Sequence, residues 1–133
     1  MEVPTRAVGP MLDQSKVEGP VFIKVDTQGY EPKVLAGIEQ WLHSRRDWWI
    51  KMEFAPNWLE SQQHDPLQLL HYLSDHFEFI DFPERLSYNT PDLDALFERP
   101  FQRDQLQDFL QYVVSLNRNG LGWVDLLVRP KPL

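Results

Sequence analysis

The sequence predicts an α/β fold, a sheet of four short strands with helices packed on its faces. Two patterns carry this prediction. Short apolar runs bounded by proline, glycine or charged residues are typical of buried strands, and apolar residues at three- and four-residue spacing are typical of amphipathic helices. The two patterns alternate along the chain, and this alternation indicates a sheet covered by helices.

The first strand is predicted at residues 21–26 and the first helix at about 32–45. The strand has few polar interruptions, as expected where both faces of a sheet are buried. Pro32 stands in the first helical turn, where the N–H that proline lacks would have no partner. Arg45 ends the helix with the charge that the helix dipole favours there. The apolar face of this helix comprises Val34, Leu35, Ile38, Trp41 and Leu42.

Residues 48–55 alternate apolar and polar side chains until a proline ends the run, which predicts the second strand. Asp65 followed by Pro66 is a helix start signal, because the aspartate can cap the helix and the proline suits its first turn. Leucines at helical spacing extend this second helix to about His76. The third strand is predicted directly afterwards, at 77–82.

Three prolines keep residues 83–101 irregular. A third helix is predicted at about 103–116, and a fourth strand follows at 123–128. Residues 1–20 hold three prolines and two glycines and are interpreted as a lead-in segment. The predicted organisation is therefore a lead-in followed by one folded domain of residues 21–130.

Composition narrows the class of protein. A hydrophobic content of 42% argues for a folded chain, and a net charge of −7 disfavours nucleic acid as a partner. The chain has no cysteine, which excludes disulfides, thiolate zinc sites and cysteine nucleophiles. No apolar stretch approaches the roughly 20 residues of a membrane span, and no signal peptide is evident. We therefore expect a cytoplasmic protein without a membrane partner.

The turn after the first strand is the strongest candidate site. Residues 23–31 read Ile-Lys-Val-Asp-Thr-Gln-Gly-Tyr-Glu and place Asp26 at the carboxyl end of the strand. Ligands bind outside the carboxyl ends of strands in open α/β sheets, so a carboxylate there is a site candidate. The alternative is structural: Asp26 caps the next helix by accepting hydrogen bonds from the Gln28 and Gly29 amides.

Other side chains near the same edge are candidates for contacts with a bound molecule. Gln28 can orient a ligand through its amide, and Tyr30 can line a pocket. Ordinary roles in a turn and in packing are the alternatives for these two residues. Asn57 and Trp58, just past the second strand, are further candidates for lining a binding pocket.

Glu53 lies near the end of the second strand, at the same edge as Asp26 if the first two strands are parallel neighbours. Two carboxylates there could share ligand binding or hold a divalent ion through oxygen ligands. Pairing of Glu53 with Lys51 or an arginine is the structural alternative. Asp125 interrupts an apolar strand, and a buried aspartate must be paired or hydrogen-bonded, which favours a conformational lock over a site role.

The histidines are not expected to form a metal site, and no metal ligand is assigned. His43 and His71 are predicted on different helices, and His64 lies in a polar loop. These three histidines and His76 are all interpreted as solvated surface groups.

Residues 23–31, followed by Val-Leu-Ala-Gly at 34–37, resemble the signature of the FkbM-type S-adenosylmethionine-dependent methyltransferases. The segments 51–54 (Lys-Met-Glu-Phe) and 123–127 (Trp-Val-Asp-Leu-Leu) also fit the family. The resemblance extends over roughly residues 3–130. The resemblance is most specific in residues 23–37.

This resemblance implies a Rossmann-like class I methyltransferase fold, present in part. The four strands would be the last four of its sheet, with the fourth strand inserted antiparallel between the second and the third. No G-x-G-x-x-G sequence follows a strand, so the chain resembles the C-terminal, acceptor-side half of the domain. We expect S-adenosylmethionine to be the cofactor of a complete domain and not to bind this chain tightly by itself.

The resemblance also implies O-methylation of a hydroxyl on a sugar or natural product. Methyl transfer needs the acceptor hydroxyl in line with the methyl group, and often a base. Asp26 and Glu53 are therefore the candidate catalytic residues. The candidate acceptor-binding residues are Gln28, Tyr30, Asn57 and Trp58. The alternative is a non-catalytic methyltransferase-like remnant or assembly module, so whether the chain is an enzyme stays open.

The first predicted strand has a consequence for assembly. In a complete domain an earlier strand would cover it, and in this chain residues 21–25 would form a bare, apolar sheet edge. Such an edge is a template for pairing with another chain, which predicts a symmetric homodimer. The alternative is that residues 1–20 fold back over the edge and leave a monomer.

Overall fold

The structure, a computed structural model, describes residues 19–82, 93–116 and 121–133. These residues form four strands and five α-helices, and a short 3-10 turn at Arg103–Gln105 leads into the last helix. The elements in chain order are β1 (Val21–Val25), α1 (Glu31–Ser44), β2 (Trp48–Phe54), α2 (Pro56–Ser61), α3 (Pro66–His76), β3 (Phe77–Asp81), α4 (Leu93–Leu96), α5 (Leu106–Ser115) and β4 (Val124–Pro130).

The strands form a single mixed sheet in the order β1-β2-β4-β3. β1 and β2 are parallel, with Val21 opposite Trp48, and β4 is antiparallel to both of its neighbours. β2 and β3 therefore run the same way, as expected of strands joined by helical crossovers. The predicted α/β fold is confirmed, and so is the predicted insertion of the fourth strand between the second and the third.

The alternating burial of the strands divides the sheet into two different faces. One face carries Ile50, Met52 and Phe54 of β2, all fully buried, and packs against α1, α3 and α5 in the main core. The opposite face carries a smaller cluster in which Ile80 and Leu127 pack against Phe97, just after α4. α1 and α3 lie on the same face because the two crossovers that contain them move along the sheet in the same direction.

The helices correct the sequence prediction in three places. α4 (Leu93–Leu96) lies within residues 83–101, which were expected to be irregular. Pro56 was expected only to end the second strand, yet it also begins α2, since a proline suits the first turn of a helix. The third predicted helix, 103–116, begins as the 3-10 turn and becomes α-helical only from Leu106. The Asp65 cap is confirmed: its Oδ1 accepts the Leu67 N–H at 2.9 Å.

Parts of the predicted organisation lie outside the described residues. They include nearly all of the lead-in of residues 1–20 and residues 83–92 of the irregular segment, so the division into a lead-in and a domain of residues 21–130 stays a prediction. Within the described part of the chain, no helix is long and apolar enough to cross a membrane.

β1 ends the order of described strands, and its Phe22 side chain is 56% exposed on the second face. We expect two chains to pair through this strand, because an edge strand presents backbone groups that a second strand can satisfy. Multi-angle light scattering should then give a mass of twice the 15.8 kDa of one chain. Phe22→Lys should shift the protein toward the monomer, since a lysine on an edge strand opposes pairing.

Tyr112→Lys is the matched control, because Tyr112 is an aromatic residue of similar exposure on α5. This variant should keep the dimer. A wild-type mass of 15.8 kDa at high protein concentration would contradict pairing through β1.

Candidate active site at the carboxyl edge of the sheet

The structure brings Asp26 and Glu53 together at the carboxyl edge of β1 and β2. Val25 pairs with Met52 in the parallel register, so the next residue of each strand is one of these two acids. Asp26 is exposed and Glu53 half-buried, and the two carboxyl groups are close enough for Asp26 to raise the pKa of Glu53. The interpretation that the two carboxylates share one edge therefore fits the observed geometry.

Glu53 holds a proton far more firmly than an ordinary glutamate. Burial is the main cause, and the negative charge of Asp26 and the hydrogen bond to it add to the effect. The charges of Glu31 and Asp125 act in the same direction, and together these causes raise the pKa of Glu53 from 4.5 to about 7. A protonated Glu53 donates to the Asp26 carboxylate, so the pair carries one exchangeable proton near neutral pH.

Glu31 is a residue that the sequence analysis missed. It is only 1% exposed at the first position of α1, and its Oε2 accepts the Gly29 N–H at 2.8 Å. Its Oε1 is buried with no hydrogen-bond partner among the described residues. Glu31 thus takes the Gly29 amide that the capping interpretation assigned to Asp26. The spacing Gly-x-Glu was the available signal, but it does not reveal burial.

The turn between β1 and α1 is tightly held against α2. Gln28 and Gly29 both have positive φ, at 53° and 105°, a region that glycine adopts readily and other residues rarely. A Cβ at Gly29 would lie 2.3 Å from the backbone oxygen of Trp58. This close approach brings the first turn of α2, with the candidate residues Asn57 and Trp58, beside the turn that carries Asp26.

The remaining candidate residues of this edge face solvent. Gln28 and Asn57 are exposed, and Tyr30 is 43% exposed with the Lys33 ammonium 5.5 Å from its ring centroid. Trp58 is also among the large exposed aromatic side chains. These four side chains are therefore accessible to a molecule that approaches the Asp26–Glu53 pair, although a direct contact between them and the pair is not observed within the described residues.

Lys51 pairs with Asp125 and not with Glu53. The two charged atoms lie 3.8 Å apart on neighbouring strands, and both side chains are half-buried. Asp125 lies directly opposite Glu53 in the β2–β4 register, so its charge also contributes to the raised pKa of Glu53. The expected pairing of Glu53 with Lys51 is therefore wrong, and Asp125 combines the predicted structural pairing with an electrostatic effect on the site.

The expectation that the histidines do not cluster is wrong for two of them. His43, in the last turn of α1, and His76, at the end of α3, have ring centroids 5.4 Å apart. Glu39 joins them: one ligand atom from each of the three residues lies within 4.8 Å of the others. This group is separate from the carboxyl edge, because α1 and α3 both end at the opposite edge of the sheet.

A mixed α/β sheet of this order, with an acidic carboxyl edge, defines a class I methyltransferase domain in part. The family model described as the methyltransferase FkbM domain matches residues 1–88. The match covers more than half of the chain, so the protein belongs to the FkbM methyltransferase domain family. Comparison with curated proteins gave no match, and neither did comparison with solved structures.

The matched residues include Asp26, Glu53 and Trp58, so the whole carboxyl edge of β1 and β2 lies inside the family domain. α5 and β4 follow the matched part of the chain. Asp125 therefore acts on Glu53 from a strand beyond that match.

The close approach of Gly29 to Trp58 gives a stability prediction. Gly29→Ala should lower the free energy of unfolding by about 3 kcal/mol or more, because a strained φ of 1–3 kcal/mol is combined with a backbone clash. Gly19→Ala is the matched control, since Gly19 also has positive φ but has nothing within 4 Å of its Cβ position. It should cost about 1–2 kcal/mol.

Urea unfolding monitored by tryptophan fluorescence measures both changes. Equal losses in the two variants would mean that α2 moves away from Gly29 without cost, which would contradict tight seating of α2 on the turn.

The proton on Glu53 predicts the pH dependence of stability. Its pKa is raised in the folded state, so its contribution is complete below about pH 4.5 and is lost as the pH rises through about 7. Glu53→Gln should remove this loss, because glutamine stays neutral and still donates a hydrogen bond. The variant should therefore gain stability relative to wild type between about pH 5 and pH 8.

Thermal unfolding followed by circular dichroism over that pH range checks the prediction. Glu60→Gln, on an exposed position of α2, is the control and should follow the wild-type profile. Parallel profiles for Glu53→Gln and wild type would show that Glu53 does not retain its proton.

Proposed function

We propose that the carboxyl edge of the sheet is the acceptor site of an S-adenosylmethionine-dependent O-methyltransferase that acts on a hydroxyl of a sugar or natural product. The observation that carries this proposal is the placement of Asp26 beside Glu53 at the edge where α/β folds bind ligands, where burial and the charge of Asp26 raise the pKa of Glu53 to about 7. A pair of this kind can hydrogen-bond an acceptor hydroxyl and take its proton at physiological pH.

S-adenosylmethionine, when bound, supplies a methyl group on a positively charged sulfonium. The acidic edge fits the cationic end of such a molecule, because the negative charges of Asp26 and Glu31 favour positive charge nearby. The glycine at this edge does not form a cradle, since the space beside Gly29 is filled by the backbone of Trp58. We therefore assign the residues at this edge to binding of the methyl acceptor and not of the adenosyl part of the cofactor.

Asp26 is the proposed proton acceptor. It is exposed, so an incoming hydroxyl can donate to its carboxylate, and Glu53 donates to the same carboxylate from the protein side. The hydrogen bond from Glu53 orients Asp26 and limits repulsion within the acidic group. As the acceptor oxygen gains its methyl group, its proton passes to Asp26.

Two exposed aromatic side chains suit the remainder of the acceptor. Tyr30 follows Gly29 and Trp58 contacts Gly29, and their side chains are 43% and 37% exposed. Ring faces pack well against the apolar face of a sugar or polyketide. Gln28 and Asn57 supply amide donors and acceptors for neighbouring hydroxyls.

Asp26→Asn should lower the turnover of a complete catalytic domain by about 10²-fold or more, the usual scale for loss of a general base. Stability should change little, because Asp26 is exposed and Gly29 bonds to Glu31. Methyl transfer to a panel of sugar and natural-product hydroxyls measures the effect, with Glu60→Gln as the control that keeps activity.

Full activity in Asp26→Asn would reduce Asp26 to a structural residue. A folded domain that binds no acceptor, judged by NMR shifts at the carboxyl edge, would instead favour the remnant or assembly module.

A further inference from the structure

We propose that Glu39, His43 and His76 form a binding site for a divalent transition-metal ion, with Zn²⁺ as the reference ion, which joins α1 to α3. One ligand atom from each residue lies within 4.8 Å of the other two. Among the described residues, this is the group of histidine and acidic side chains that comes close enough to share an ion.

Helix geometry accounts for the convergence of the three ligands. Glu39 and His43 are four residues apart in α1, so their side chains lie on the same face of the helix. α3 runs parallel to α1 on the same face of the sheet, and its last residue, His76, reaches the end of α1. In a tetrahedral site with bonds of about 2.0–2.1 Å, ligand atoms lie roughly 3.4 Å apart. The exposed His43 and His76 need only small side-chain rotations to close that gap.

Charges of both signs surround this group. Arg45, Arg46 and Lys131 line a pocket together with His43 and His76 and oppose a cation there, whereas two helix C-termini and Glu39 favour one. His43 is in the last turn of α1, and His76 is the last residue of α3, so two helix C-termini meet there. Each C-terminus carries a partial negative charge that stabilises nearby positive charge. Glu39 adds a full negative charge, and within the described residues it has no lysine or arginine partner.

The surroundings of the ligands also resemble those of metal sites. The Tyr72 hydroxyl donates to Glu39 Oε1 at 3.0 Å, which fixes one oxygen of the carboxylate and leaves the other for an ion. The His43 ring stacks on Phe77 at 5.4 Å, and the His76 ring lies 4.6 Å from the Tyr72 ring, so each imidazole packs against an aromatic side chain.

The ligand types select the class of ion. Two imidazoles and one carboxylate suit Zn²⁺, Ni²⁺, Co²⁺ or Cu²⁺, whereas Mg²⁺ and Ca²⁺ prefer sites made of oxygen ligands. Three protein ligands leave a coordination position for water or an external molecule. His43 and His76 are both exposed, so the site has access from solvent.

Isothermal titration of the tag-free 133-residue protein with Zn²⁺ tests the proposal. We expect one ion per chain. His43→Gln and His76→Gln should each weaken binding by more than about 100-fold, because loss of a ligand exceeds the 10–100-fold effect of an outer-shell change. His71→Gln is the matched control, a histidine of α3 outside the group, and should bind as wild type does.

Tyr72→Phe tests whether the hydrogen bond from Tyr72 to Glu39 contributes to the affinity for Zn²⁺. Phenylalanine keeps the packing of the ring and removes the hydrogen bond to Glu39, so Zn²⁺ binding should weaken by about 10–100-fold. In the wild type, Co²⁺ should give the visible absorption of a tetrahedral site, and His76→Gln should lose it.

Two results would overturn the proposal. One is the absence of saturable Zn²⁺ binding to folded wild-type protein, which would identify an ion-free histidine–glutamate cluster. The other is Zn²⁺ binding that survives both His43→Gln and His76→Gln, which would place the ion elsewhere on the chain. Circular dichroism of each variant confirms that the exposed histidines were replaced without unfolding.

Discussion

The parallel register of β1 on β2 determines the chemistry of the carboxyl edge. Because Val25 lies opposite Met52, Asp26 and Glu53 follow at the point where both strands end. Two neighbouring carboxylates in a partly buried position resist simultaneous ionisation, so a proton stays between them near pH 7. A slip of the register by one residue would move Glu53 to the other face of the sheet and separate the pair.

Repulsion among the acids at the carboxyl edge lowers the stability of the fold, and specific contacts hold these acids in place. Glu31 is buried beside the pair with its Gly29 hydrogen bond, and Asp125 is paired with Lys51 across β2 and β4. Glu53 is therefore surrounded by three other acids, all of which raise its pKa. A simple core would bury apolar side chains there, so this concentration of like charge is better explained by a functional site than by folding.

The sequence predicted the strands because buried strands and amphipathic helices have local patterns, and the family resemblance supplied their order in the sheet, with β4 inserted between β2 and β3. It missed α2, since Pro56 is compatible both with the end of a strand and with the start of a helix. The burial of Glu31 was also missed, because it depends on the approach of Trp58 to Gly29, a contact between distant segments. The histidine group required the packing of α1 against α3, although the spacing of Glu39 and His43 was visible in the sequence.

α1 connects the two charged regions of the molecule. Its first residue, Glu31, lies at the acidic edge, where the positive end of the helix dipole offsets negative charge. Its last turn carries His43, where the negative end of the dipole and the C-terminus of α3 favour a cation. An ion at Glu39, His43 and His76 would fasten α1 to α3 at one edge of the sheet and leave the carboxyl edge open. The ion would then restrict the motion of α1 at the end of the helix that is opposite to the acids of the carboxyl edge.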